Sequence, residues 1–521
     1  MDLIGPLVAL GALTWVEWKH APITRVANHI ATLGRKGSAW ITDERGAYAA
    51  FSPQLRYRDF YAADGIVETA DGYLWTGGEV LLPSTDCVSD ADTNALGEQL
   101  NICYAGLPVG TWVQTINRLS VGDPAPFDVP LKLMREAPPA LSDVVGTIYP
   151  ARLKHLAAEM KESRLRTRRT WVYIGRQAPL HKRVKVKLRE LGRANAFIDY
   201  EWSEYERVRD DVRRARDKFA QFFRDAGGLV LDYEEGNPGV TREVMRMAYE
   251  RLNPERARAG HPCPEYDCDE ESRPRELICL SPVDVRNDIL RYGRTYAATL
   301  SMHGLPKPLV ATTLERFLRS ADLTFDVEVA THYRAEKWLK WAAKADKIED
   351  RFIWNNADAK RVNRDEQMRM ADAQDVQRLI REQNELLGSF GFGVSVYAPD
   401  EETLRQRCDT VITELRLAGG IEAIFDNSGT LLQNLSTLPC APHTDGRTQP
   451  MRSAGAAYLS GWTGGPSGLP REEATILFQR PDGGVLYYDQ TTRRHGANQT
   501  LVCGRTRSGK SVLMNQLREN H

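Results

Sequence analysis

The stretch "FGVSVYAPDEETLRQRCDTVITELRLAGGIEAIF", Phe392 to Phe425, decides the fold class. Phe392 to Ala398 is an apolar, strand-like run. A helix opens on Asp400 and closes at Gly419-Gly420, with Leu404, Val411 and Leu415 in register on one face. Ile421 to Phe425 is a second strand. A strand–helix–strand unit of this length requires a sheet with a helix lying over it. The chain is therefore expected to be α/β, with an α+β N-terminal domain built from such units.

Working outward, the period of three and four recurs between Tyr200 and Asp225. Tyr205, Val208, Val212, Ala215, Phe219 and Phe222 form one stripe, and Gly227-Gly228 supplies the stop. Such a stripe is read as the face a helix turns toward its own core. "EKWLKWAAKADKIEDRF" and "DAQDVQRLIREQNELL" read as two more helices, with Trp338, Leu339 and Trp341 on a packed face. "SDADTNALGEQLNICYAGL" reads as a helix capped near Ser89 or Asp90, with Leu96, Leu100 and Cys103 on one side. "GYLWTGGEVLL" reads as two strands joined at Gly77-Gly78, and "APPALSDVV" as a connector. Residues 235–275, dense in Pro, Gly and charge, read as an exposed insertion or linker. Farther on, "ATILFQR", "PDGG" and "VLYYD" make a hairpin turning at Asp482-Gly483.

A chain of 521 residues exceeds one core and suggests on the order of two to four domains. Composition places an N-terminal α+β region at 1–150, a basic strand/helix region with its linker at 151–275, and a further α+β region at 276–460. The Gly/Pro-rich stretch Ala454 to Glu473 marks the approach to a last module, 461–521. Apolar content of 42% and charge of 27% are those of ordinary globular protein. The net charge of −1 conceals an asymmetry: acidic side chains outnumber basic ones up to residue 150, and the order reverses over 151–193. That basic segment could hold nucleic acid or an anionic membrane surface. In "HKRVKVKLRE", however, Val184, Val186 and Leu188 alternate with cations, the period of a half-buried strand with a solvated face.

Eight cysteines without regular spacing make no disulfide framework and point to a reducing compartment. His261, Cys263, Cys268 and Cys279 lack the paired short Cys-x-x-Cys turns of a structural zinc site and read as an irregular loop. Leu3 to Trp15 is too short an apolar run to span a bilayer, and Asp2 stands where a signal peptide carries positive charge. A cytoplasmic chain is expected.

The chemistry-bearing motif is "TLVCGRTRSGKSVLMNQLRENH", Thr500 to His521. Gly504, Arg505, Thr506, Arg507, Ser508, Gly509, Lys510 and Ser511 satisfy G-x-x-x-x-G-K-[ST], between a short apolar strand and a helix-like run. Backbone N–H groups converging at a helix N-terminus make a positive pocket for phosphate oxygens. Glycines 504 and 509 permit the turn. Lys510 is placed to reach the β and γ phosphates of ATP as the catalytic cation, and the Ser511 hydroxyl to join the Mg shell. Hydrolysis needs more: an acidic strand-end residue, a group orienting water, and usually an arginine supplied in trans. Only ten residues follow Ser511, so this polypeptide alone is expected to bind ATP without turning it over.

"ANQTLVCGRTRSGKSVLMNQL" resembles the Walker A segment of the conjugation and type IV secretion ATPases of the VirB/TrbE/CagE family. "RYGRTYAATLSMHGLPKPLVATTLERFLRSADLTFDVEVAT" is similar to that family's strand–Pro–helix–strand stretch. "FGFGVSVYAPDEETLRQRCDTVITELRLAGGIEAIFD" resembles the segment before its motor, and "GYLWTGGEVLL" an early one. The likeness implies a large N-terminal docking domain followed by the start of a RecA-like P-loop NTPase domain, the chain being the N-terminal portion of a longer protein. It also implies a hexameric motor, peripheral at the cytoplasmic face of the inner membrane, working with other inner-membrane secretion components. Such a motor energises pilus assembly and transfer of DNA or protein. The commonest form of the loop in DNA-handling motors has Gly where this chain has Arg507. A positive φ there would cost an L-residue about 1 kcal/mol or more, so weaker affinity or an altered loop is expected. Two other functions fit the same residues: a non-hydrolysing docking scaffold of the secretion channel, and another DNA-translocating P-loop motor, which would bind nucleic acid directly.

Overall fold

The computed structural model of the chain describes residues 55–85, 88–122, 165–178, 194–230, 239–266, 274–286, 288–304, 309–336, 386–425, 429–442, 447–465, 468–480 and 482–489, with scattered positions between 127 and 162 and at 374 and 378. Among the described residues it is a mixed α/β structure dominated by one antiparallel sheet.

The strands are β1 (Tyr57–Tyr61), β2 (Ile66–Thr69), β3 (Tyr73–Leu81), β4 (Thr111–Val121), β5 (Arg166–Gln177), β6 (Leu229–Val230), β7 (Val283–Val285), β8 (Leu290–Tyr292), β9 (Thr295–Gly304), β10 (Val327–Ala335), β11 (Leu387–Ala398), β12 (Glu422–Phe425) and β13 (Thr448–Arg452). They form a thirteen-stranded sheet whose main order is β1-β2-β3-β5-β4-β10-β11-β9-β8-β7, with β6 on β3, β12 on β9 and β13 on β11. A separate hairpin, β14 (Ile476–Gln479) and β15 (Val485–Tyr488), follows. Its turn carries Asp482, whose Oδ1 accepts from Gly484 N at 3.0 Å.

The helices are α1 (Asp90–Ala105), α2 (Ala194–Asp225), α3 (Gly239–Leu252), α4 (Pro254–Arg258), α5 (Pro274–Ile278), α6 (Thr313–Leu318), α7 (Glu401–Gly419), α8 (Thr430–Ser436) and α9 (Ser453–Leu459). They cover both faces of the sheet, and two apolar clusters result. On one face Val113, Val172, Val329 and Phe392 meet α1, α2, α6, α7 and α9. On the other Trp75, Trp112, Trp171 and Tyr292 meet α3, α5 and α8.

The unit Phe392 to Phe425 forms as its local signals dictate. Asp400 caps α7 by accepting from Thr403 N at 2.8 Å. Gly420, at φ 69°, closes it in the left-handed conformation, where Gly420 N and Ile421 N return to Arg416 O and Leu415 O. Leu404, Cys408, Val411 and Leu415 are buried, and each such leucine contributes roughly 1.5–3 kcal/mol by burial. β11 and β12 both run antiparallel to β9, so α7 carries the chain over β9 and returns it parallel to β11.

The stripe from Tyr205 to Phe222 is buried along α2, as its period requires, and Ser89 caps α1 through Asp92 N. Three expectations are corrected. Tyr73 to Leu81 is one continuous strand; Gly77 is there because a Cβ would overlap the Val172 carbonyl oxygen of β5. The buried side of α1 is Thr93, Gly97, Leu100 and Tyr104, with Leu96 and Cys103 only half-buried, because Gly97 lets the Tyr458 ring of α9 approach closely. Residues 239–252, expected in a linker, form α3, which buries Val244, Met247, Ala248 and Leu252. "HKRVKVKLRE", Leu3 to Trp15 and "APPALSDVV" lie outside the described residues, as do the two helices expected over 336–352 and 372–387, except for Glu336, Gln374, Arg378, Leu386 and Leu387. Leu387, expected in a helix, opens strand β11. Among the described residues no helix is long and apolar enough to cross a membrane.

β4 pairs β10 from Leu119↔Val327 to Trp112↔Arg334 and joins the two halves of the sheet. Gln114 reaches across to the turn before β13, donating to Leu438 O at 2.8 Å and accepting from Cys440 N at 2.8 Å. Beside it His332 is 3% exposed and neither ring nitrogen has a hydrogen-bond partner. Burial holds its imidazole down to about 4.

Two outcomes are expected. Asp400→Ala should lower stability through loss of the N-cap of α7, read as a lower urea midpoint with unchanged slope. For His332 the unfolded chain takes up the proton first as pH falls, so its contribution is complete above about 6.5 and is lost toward pH 4. Wild-type stability should fall by up to about 3 kcal/mol more than that of His332→Leu across this window, measured by urea unfolding at pH 7 and 4.5.

Candidate functional site

The eight loop residues Gly504, Arg505, Thr506, Arg507, Ser508, Gly509, Lys510 and Ser511, with the expected ATP and Mg contacts, lie outside the described residues. What is described ends just upstream, in the β14–β15 hairpin. That hairpin is fixed to the main sheet, since Arg166 N of β5 donates to Gly483 O at 2.8 Å.

Where the hairpin meets the ends of β4 and β5, a cleft of about 720 Å³ opens, lined by guanidinium groups. The strand "RTRRT" at the start of β5 builds it, because alternation sends Arg166 and Arg168 to one face and Arg169 to the other. On the first face the Arg166 Nη atoms donate to Ser320 O and Ala321 O at 2.6 and 2.7 Å, carbonyls just past the end of α6. Arg168 donates to Thr463 O at 3.0 Å, Gly461 O at 2.6 Å and Asn117 Oδ1 at 2.7 Å. Arg319 meets Glu315 at 2.8 Å, and Arg480 pairs with Asp482. Burial pushes the Arg168 guanidinium down to about 10, against the pull of Glu315 and with a further push from Arg319 and Arg480.

Charges on the second face are closely paired. Arg169 pairs with Glu79 and Glu243 and stacks over Trp171 at 4.7 Å. Arg118 bridges Glu250 at 2.7 Å and Glu328 at 3.1 Å. Behind them Arg251, 1% exposed in its side chain, meets Glu328 at 2.5 Å. It also donates to Ser395 Oγ at 2.6 Å and to Thr437. Burial lowers the affinity of Arg251 for its proton, but the Glu328 carboxylate together with Tyr397 and Tyr292 outweighs it and raises the value.

No family model and no curated protein matches this chain. The chemistry available is therefore read from the side chains alone.

Guanidiniums stay charged and recognise anions with fixed forks of donors, so the cleft is suited to holding an anion rather than moving a proton. Burial raises the thiols of Cys263 and Cys279 to about 11 and about 12, which leaves them poor nucleophiles. Their sulfurs donate to Pro264 O and Ser281 O, while Cys268 lies outside the described residues. Among the described residues no group of three His, Cys, Asp or Glu side chains is placed to hold a metal ion.

Sequence reasoning located the basic segment 151–193 but not the cleft. The missing signal was the alternation of "RTRRT", and its partners Gly461 and Thr463 stand some three hundred residues away. Glu328→Gln removes the charge shared by Arg118 and Arg251. It should destabilise the fold by about 3–5 kcal/mol, the cost of a buried cation losing its partner. Equilibrium urea unfolding checks this.

Proposed function

We propose that the chain is the ATP-binding, energy-coupling subunit of a bacterial conjugation or type IV secretion machine, driving pilus assembly and substrate transfer. The observation that carries the reading is the loop Gly504 to Ser511, set between an apolar run and a helix-like run. It is supported by element order upstream. The stretch resembling the family's strand–Pro–helix–strand segment folds as β8, β9, α6 and β10, and the next as β11, α7 and β12. In this reading ATP and Mg are held by the backbone of the loop, by Lys510 and by the Ser511 hydroxyl. A RecA-like motor begins there and assembles as a hexamer at the inner membrane with other secretion components.

A docking scaffold is the second reading, favoured by the size of the two-faced sheet that precedes the loop. The two separate in one experiment on the full chain. With Mg present, Lys510→Ala should weaken binding of a fluorescent ATP analogue by about tenfold or more, through loss of a charge-assisted contact to phosphate. Equal affinity in the two proteins overturns the ATP-binding reading. Capture of inner-membrane secretion components by Lys510→Ala, with nucleotide binding absent in the wild type as well, favours the scaffold.

A further inference from the structure

We propose that the cleft between the ends of β4 and β5 and the β14–β15 hairpin is an anion site built from residues other than Gly504–Ser511, and takes the phosphate or diphosphate group of a small molecule. The argument rests on Arg166 and Arg168. Arg166 is 8% exposed and Arg168 is half-buried. Among the described residues both donate only to neutral acceptors, namely Ser320 O, Ala321 O, Thr463 O, Gly461 O and Asn117 Oδ1. Their Nε–H groups have no acceptor at all. Buried guanidiniums are ordinarily matched by carboxylates. Here Arg319 and Arg480 add two more cations to the same wall, where Arg319 pairs with Glu315 and Asp482 and Arg480 with Asp482; Glu79, Glu250 and Asp326 also line the cleft. Asp322 acts on Arg166 only from an exposed position.

Nine arginines line the cleft against four carboxylates, Glu79, Glu250, Asp326 and Asp482, an excess of positive charge that a phosphate anion complements. The depressed value of Arg168 has burial as its first cause and the neighbouring cations as a further one, as expected for a site short of negative charge. The lining also admits close approach. Gly465 is pressed against the Arg480 and Arg319 guanidiniums, where a Cβ would collide with them. Size selects a small ligand over a polymer: about 720 Å³ lies within the usual range of roughly 300–1,000 Å³ for small-molecule pockets.

The test uses the full chain carrying Lys510→Ala, so that the loop cannot account for the signal, with pyrophosphate and inorganic phosphate as probes in calorimetry. Binding should persist in this background. It should fall by about tenfold or more when Val121→Asp is added, since that carboxylate would stand opposite Arg166 in the ladder and take the anion's place. Where Val121→Asp fails to fold, pyrophosphate protection of Arg166 and Arg168 from phenylglyoxal, read by peptide mass, serves instead. Three results would overturn the proposal: no binding in Lys510→Ala, equal affinity with Val121→Asp, or no protection of the two arginines. A single-stranded oligonucleotide that binds and protects them where pyrophosphate does not would overturn it in favour of a polymer.

Discussion

The sheet depends on one ladder, the pairing of β4 with β10. To one side β1, β2, β3 and β5 form an antiparallel group, and to the other β11, β9, β8 and β7 form a second. Among the described residues, only β4 against β10 makes these a single surface on which helices can pack from both sides. Register there is set by charge as well as by apolar alternation. Arg118 lies directly opposite Glu328, and Arg251 approaches Glu328 from α3 beneath. A slip of one residue would carry Glu328 to the opposite face of the sheet and leave Arg118 and Arg251 without the carboxylate they share. The ion pairs therefore act mainly through the alternatives they exclude.

The same logic explains why the two walls of the cleft differ. On the α3 side every arginine of the seam has a carboxylate, and Trp171 takes the face of Arg169. On the hairpin side arginines hold backbone carbonyls, and thereby tie the end of α6 and the Gly461–Gly465 segment to β5. Neutral carbonyls satisfy the donors but do not cancel the charge, and this distinguishes an architectural guanidinium from one with field left over for a ligand.

What could be read from the sequence was what is decided nearby. The cap at Asp400, the left-handed Gly420 and the Leu404–Val411–Leu415 stripe fall within one short segment, and each determines its own piece of α7. The Tyr205–Phe222 stripe was legible for the same reason. Gly77 was misread because the demand for glycine comes from Val172, on another strand. Helix α3 was hidden by Arg242, Glu243, Arg246, Glu250 and Arg251, which give its sequence the look of a solvated segment. Several of these charges are satisfied by Arg118, Arg169 and Glu328, far off in the chain. Of the site, the basic character of 151–193 was visible, but its concave shape was not, since the opposing wall comes from residues past 460.

The separation in sequence of Arg118 and Glu328, 210 positions, also orders events on the ribosome. When β4 emerges, its β10 edge has no mate until that much more chain has been made, while β5, which follows much sooner, can pair with β4 on one side and β3 on the other. During that interval an apolar strand edge is open to wrong partners. Such long-range closure is also intrinsically slow. Newly made chain should accordingly depend on holdase chaperones up to the moment β10 docks, and become independent of them soon afterward.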